Sequence, residues 1–373
     1  QQPDLNWRNP QVEKAAFGAM RFWLDRGIAG FRLDAIPTLF EDPKLQDDPE
    51  TGGLNAQGDP NLNDIHTNNL PEVHDVIRRM RTMAASYPGD RLLIGETYLP
   101  NTAELDKWYG GAQHDELHLP MDMLLGFSNK LDAAGFRKYI EEAQTQLHGS
   151  QPLFVFDNHD NIRSVDRYAP ADASPQDRDR IAKLLATVLL TTPATALLYQ
   201  GEELGMDTAT PVRREDVKDP IGVTGWPKEK GRDGERTPMQ WTPGAQAGFS
   251  TNAETWLPIP ADAKTINVEI ESRDPQSQLT WYERLIALRR TNPALHDGTL
   301  RMLDPGNADV LSYLRSTGSG ASVLVAINFT AEPRTIVLDL PGKQLKPLLA
   351  DGNITAATTL TLPPYASYVA EVK

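Results

Sequence analysis

Ile28-Ala29-Gly30-Phe31-Arg32-Leu33-Asp34 is an apolar run that closes on an arginine and an aspartate two positions apart. A strand is predicted over 28–34. Alternate residues of a strand share one face, so Arg32 and Asp34 point to the same side. Upstream, Asn9-Pro10 offers a helix cap and a first-turn proline. Val12, Ala16, Ala19, Phe22 and Trp23 then recur at helical spacing before Gly27. Downstream, residues 41–69 are rich in Asp, Gly, Pro and Asn and read as one long loop. Pro71 opens a second helix with Val73, Ile77, Met80 and Ala84 on one face, and 92–96 forms the next strand.

The alternation continues with strands over 117–123, 153–157 and 194–200 and helices over 136–147, 178–191 and 278–290. A Pro- and Gly-rich excursion over 202–275 precedes the last helix. The pattern is that of an α/β fold with a parallel sheet wrapped in helices. It amounts to about five strand–helix units, half or more of an eight-unit TIM (β/α)8 barrel. After about residue 296 the texture changes. Strands over 310–314, 322–329, 334–340 and 367–372 alternate apolar and polar residues between turns, which predicts a small antiparallel β-sandwich. The expected domains are a catalytic portion, 1–295, and a C-terminal sandwich, 296–373.

The chain has 373 residues, enough for a large core and two domains. It has no cysteine, which excludes disulfides and thiolate metal sites. A net charge of −14 disfavours a nucleic-acid partner, since such proteins concentrate Lys and Arg. No apolar stretch is long enough to span a bilayer as a helix.

Acid and base groups gather at the predicted strand ends. Arg32 stands beside Asp34, as suits a nucleophilic carboxylate that must stay ionised. Leu92-Leu93-Ile94-Gly95-Glu96 ends an apolar run on a single glutamate. Burial of a carboxyl favours its protonated form, as a proton donor requires. Phe154-Val155-Phe156-Asp157-Asn158-His159-Asp160 ends a third strand on further carboxylates and an imidazole. Singly, each group is more often structural: an ion pair, a solvated glutamate, a turn cap. At three strand ends together, chemistry is the better reading. The guanidinium of Arg32 opposes a metal there, and no His-Glu-x-x-His spacing occurs. Gly-x-Ser-x-Gly, P-loop and dinucleotide fingerprints are also absent. What remains is chemistry by carboxylates, of which glycoside hydrolysis is the leading example.

The sequence resembles glycoside hydrolase family 13, the α-amylase family, and within it the oligo-1,6-glucosidase/maltase branch. Gln2-Pro3-Asp4-Leu5-Asn6-Trp7 resembles the block ahead of the fourth barrel strand, and Gly30–Ala35 the nucleophile strand. Gly95-Glu96-Thr97 resembles the acid/base strand, and Asp157–Asp160 the seventh strand. Gly231–Trp241 is similar to a segment typical of this branch. The resemblance covers essentially the whole chain, and it implies strands 4 to 8 of the barrel followed by the β-sandwich. It implies a retaining, exo-acting α-glucosidase in which Asp34 is the nucleophile and Glu96 the general acid/base. Asp160 would stabilise the transition state, Arg32 hold the nucleophile, and His159 and Arg163 contact the sugar. Ala35, small and next to the nucleophile, implies α-1,4 rather than α-1,6 preference. The implied substrates are maltose, short malto-oligosaccharides and sucrose, with no cofactor and no metal. Tyr98, Trp226 and Trp241 are stacking candidates, although aromatic residues at a barrel rim more often pack.

The family pattern also has a first half with an Asp-x-x-x-Asn-His block, which does not occur in this chain. An N-terminal polypeptide is therefore expected to complete the barrel. Same-family transglycosylases or isomerases, such as trehalose or isomaltulose synthases, would share the three carboxylates. Transporter heavy-chain relatives typically lose them. A cytoplasmic location is expected, because small oligosaccharides are commonly processed there.

Overall fold

The computed structural model describes residues 4–55, 58–128, 130–304, 306–355, 357 and 359–373. Gln2 and Pro3 of the first family-like block lie outside the described residues. The chain divides into two compact units, Gln1–Leu124 with Glu141–Leu153, and Leu125–Ile140 with Phe154–Lys373.

The first unit holds β1 (Gly30–Leu33), a hairpin of β2 (Glu50–Leu54) and β3 (Pro60–Leu62), β4 (Leu92–Gly95) and β5 (Leu119–Asp122). Strands β1, β4 and β5 lie side by side in that order and run parallel. The helix Pro10–Leu24 starts where expected, with the Asn9 side chain accepting the Gln11 N–H. Its buried face is Phe17, Met20 and Leu24, not the predicted one. Phe22 and Trp23 are exposed, with the Arg26 guanidinium over the Phe22 ring. The helix Glu72–Ala85 buries Val73, Ile77, Met80 and Ala84 as its spacing predicts, together with Val76 and Met83. The stretch read as one long loop instead contains the exposed β2–β3 hairpin.

The second unit contains β6 (Leu153–Val155), β7 (Thr195–Leu197) and the helices Pro175–Thr191 and Gln278–Thr291. Seven antiparallel strands follow: β8 (Thr299–Met302), β9 (Val310–Ser316), β10 (Ser322–Asn328), β11 (Arg334–Val337), β12 (Leu345–Ala350), β13 (Thr359–Leu362) and β14 (Ser367–Val372). A five-stranded sheet, β12-β14-β10-β9-β8, faces the pair β11-β13. Leu324, Ala326, Tyr368 and Ala370 of the large sheet meet Ile336, Leu360 and Leu362 of the small one in a single core. Period-2 burial on β13, with Leu360 and Leu362 inside and Thr359 and Thr361 outside, is what a half-buried strand requires. Among the described residues no helix is long and apolar enough to cross a membrane.

Candidate active site

Strand β1 ends one residue before Asp34, and β4 one residue before Glu96. The parallel register matches Arg32 with Ile94 and Leu33 with Gly95. Asp34 and Glu96 are therefore the next pair, and the Glu96 N–H still donates to the Leu33 carbonyl at 2.9 Å. Two glycines permit this close pairing. A Cβ on Gly30 would stand 2.0 Å from the Leu92 carbonyl oxygen, and one on Gly95 would stand 2.3 Å from a Leu117 methyl.

The Arg32 guanidinium bridges both acids. It pairs with Asp34 Oδ1 and reaches Glu96 Oε1 at 2.9 Å. The other Glu96 oxygen accepts the Ala35 N–H at 2.9 Å. Ala35 can aim that N–H because it is left-handed, with φ 41° and ψ 37°, which also stops the strand. The two carboxylates differ sharply in setting. The Asp34 side chain is 77% exposed and that of Glu96 only 8%. Asp34 is open to solvent, while Glu96 is held among protein groups.

In the second unit, the Asn158 side-chain oxygen accepts the Asp160 N–H at 3.0 Å and folds the segment after β6 into a turn. Asp160 Oδ1 is gripped by Arg232 at 2.6 Å and Arg236 at 2.9 Å, and Oδ2 lies 3.3 Å from His159 Nε2. Arg236 also donates to the His159 carbonyl at 2.7 Å. Arg232 is anchored in turn on Asp219 at 2.9 Å. Burial opposes ionisation of Asp219, but the Arg232 side chain and the N–H groups of Arg232 and Ile221 outweigh it and hold Asp219 at about 2. Asp157 is buried and accepts the Ser164 N–H at 2.5 Å. Burial pushes its carboxyl up against the pull of Arg167.

The structure thus brings Arg32, Asp34, Ala35 and Glu96 together in one unit and His159 with Asp160 in the other. Arg163 lies within the protein interior. It is fully buried, and its guanidinium donates to the carbonyls of Gln200 at 3.0 Å and Glu235 at 3.3 Å. Its N–H also donates to Thr208 at 2.9 Å. It ties three loops together. Arg232 and Arg236, both in the Gly231–Trp241 segment, join the candidate site although the sequence reading does not single them out. Two arginines four apart around Asp233 and Glu235 were the available signal. Tyr98 and Trp241 are exposed, and the Lys230 ammonium lies 5.5 Å from the Trp226 ring. No group of three potential metal ligands occurs among the described residues.

One more carboxylate closes a strand. Asp122, at the end of β5, is buried and accepts the Leu124 N–H at 3.0 Å. Burial first, and Glu142 as well, push it up to about 7. A carboxyl raised on folding stabilises the protein fully below its unfolded pKa, and that stability is lost as pH rises through the folded value. Between about pH 4 and 7 Asp122 therefore weakens the fold. Asp122→Asn is expected to gain Tm relative to the parent as pH rises from 5 to 8. A constant Tm difference across that range in thermal melts would contradict this.

Residues 1–298 match the family model described as "Alpha amylase, catalytic domain". The chain belongs to the α-amylase family. That family is made up of glycoside hydrolases. Residues 300–369 of this family member match the "Maltogenic Amylase, C-terminal domain". Its parallel strands and their helices are the C-terminal portion of the family's TIM barrel, followed by an antiparallel β domain. It is 33% identical to the "Probable alpha-glucosidase" of Rhizobium meliloti, covering 100% of this chain and 67% of that protein. It is 32% identical to the α-glucosidase of Apis mellifera, covering 91% and 58%. The chain thus spans about 58–67% of the length of these relatives. Among solved structures it is similar to the α-glucosyl transfer enzyme XgtA, with TM-score 0.84, 32% identity, and coverage of 100% of this chain and 69% of that one. The trehalulose synthase MutB of Pseudomonas mesoacidophila gives TM-score 0.82 and 29% identity, with coverage of 100% and 70%.

Proposed function

We propose that this chain carries the catalytic carboxylates of a retaining, exo-acting α-glucosidase acting on α-glucosidic bonds of small oligosaccharides. The observation that carries the reading is the Asp34–Arg32–Glu96 arrangement on adjacent strand ends, with Asp34 exposed and Glu96 enclosed. Retention needs two carboxyl groups about 5–5.5 Å apart on either side of the scissile bond, and neighbouring strand ends supply that scale of separation.

In the first step an Asp34 oxygen bonds to the anomeric carbon from the face opposite the leaving group. The C–O bond to the aglycone breaks, and the Glu96 proton goes to that oxygen. In the second step the Glu96 carboxylate takes a proton from water. The water oxygen bonds to the anomeric carbon, and Asp34 leaves as a carboxylate. Asp160 accepts sugar hydroxyls and, with its two arginines, keeps one orientation while positive charge develops on the ring. His159 contacts the same sugar. Arg32 holds both carboxylates in place, and the small Ala35 leaves room for an α-1,4-linked partner such as the second glucose of maltose. The C-terminal sandwich begins near residue 296.

A second reading is transfer to a sugar acceptor instead of water. It draws support from the likeness to XgtA and to MutB, described as an α-glucosyl transfer enzyme and a trehalulose synthase. The test is to characterise the active material by denaturing mass spectrometry and to follow maltose and sucrose turnover by NMR. Hydrolysis of sucrose gives its glucose first as the α anomer, and hydrolysis of either sugar gives no new disaccharide. New disaccharide as the main product selects transfer. Release of β-glucose from sucrose, whose cleaved glucosyl unit is its only glucose, would overturn the retaining mechanism.

A further inference from the structure

A cavity of about 480 Å³ lies in the second unit, apart from the residues assigned above. It is lined by the first turns of the helices Pro175–Thr191 and Gln278–Thr291 and by the segment that carries Ile266 and Ile270. Gln278 lines it and is 4% exposed, yet neither its amide oxygen nor its amide nitrogen has a hydrogen-bond partner. An unpaired buried amide is destabilising, and here it borders space that a ligand can fill.

The other lining groups define the chemistry of that ligand. Arg178 is already shared by two carboxylates, Asp166 at 2.5 Å and Asp207, so no free cation is offered to an anion. Asp179 is matched by the Lys183 ammonium at 2.6 Å, which lessens the attraction for a cation. Glu271 is buried, and one of its oxygens accepts the Leu279 N–H at 3.0 Å. Burial pushes it up to about 7, so near neutrality its carboxyl both donates and accepts. Hydroxyl groups match such a mixed set, being donor and acceptor at once. Leu204, Ala182, Ile266 and Ile270 add apolar wall.

We propose that this cavity binds a small uncharged polyhydroxylated molecule, a polyol or monosaccharide. The Gln278 amide and the Glu271 carboxyl take its hydroxyls, and Ile266 and Ile270 cover its carbon face. The site does not depend on the glucosidase reading.

The test uses sorbitol, which has no glycosidic bond, and hydrogen-exchange mass spectrometry on the whole active protein. Saturable protection is expected in peptides covering 173–183 and 262–280. Gln278→Leu should raise the sorbitol dissociation constant at least tenfold. Ile270→Trp, which fills the cavity from a partly exposed position and leaves Gln278 in place, should abolish the protection. It decides the matter alone if the Gln278 variant does not fold. Protection confined to 28–36, 94–98 or 157–163 would overturn the site, as would protection that survives Ile270→Trp. Protection by putrescine but not by sorbitol would assign the cavity to an organic cation and overturn the proposal too. None of these outcomes decides the catalytic roles of Asp34 or Glu96.

Discussion

Asp34→Asn is expected to lower kcat on 4-nitrophenyl α-glucoside by on the order of 10⁴- to 10⁶-fold, the scale at which a covalent nucleophile is lost. The amide keeps the shape of the side chain but has no charge to form the glycosyl ester. Arg32 then keeps Glu96 as its only anionic partner among its described ion pairs. Because the Asp34 side chain is mostly exposed, the variant should melt within a degree or two of the parent. The loss would then report chemistry and not unfolding. Azide added to Asp34→Gly should restore part of the turnover and yield β-glucosyl azide, since a small anion can enter the face the carboxylate has vacated. Parent-like turnover by Asp34→Asn would remove the nucleophile assignment.

Arg315→Leu is expected to produce the largest loss of stability. Arg315 is fully buried on β9 and donates to the Gly298 carbonyl through Nε at 3.1 Å and Nη2 at 2.7 Å, and to the Thr191 carbonyl at 2.6 Å. Burial pushes it down to about 10. It is retained because these carbonyls have charge-assisted donors from no other side chain in the described hydrogen bonds. Leucine fits the volume roughly but strands both oxygens, at about 1–3 kcal/mol for each. The expected total is about 3–5 kcal/mol, read as a lower denaturation midpoint. Arg315→Lys should recover only part, since an ammonium cannot copy the fork. A midpoint unchanged in the leucine variant would contradict the account.

The placement of acidic groups at strand ends is more legible in the sequence than the packing. Asp34 and Glu96 end apolar strand runs, and strand periodicity alone puts Arg32 and Asp34 on one side. The ends of those strands were overestimated because backbone geometry intervenes. Left-handed Ala35 halts β1 earlier than its apolar pattern suggests. The β2–β3 hairpin escaped notice because all its described residues are exposed, so no burial pattern exists to read. Strand β12 carries Pro347 and a register shift beside it, and it reads as a break, not a strand. Phe22 and Trp23 misled because hydrophobicity and burial are different properties, and the helix turns Phe17, Met20 and Leu24 inward instead. Arg163 and Arg236 look alike as isolated cations in sequence. Only tertiary placement separates the one that braces loops from the one that grips Asp160.

Ala35 couples two properties that an engineer would prefer to adjust separately. It directly follows Asp34, while its backbone N–H, aimed by the left-handed conformation, holds Glu96. A β-branched residue tolerates that conformation poorly. On the proposed roles, widening or narrowing the linkage choice through position 35 is therefore expected to tilt Glu96 as well. Changes in linkage preference made there would bring altered pH–rate behaviour with them, whereas changes made on distant loops would not.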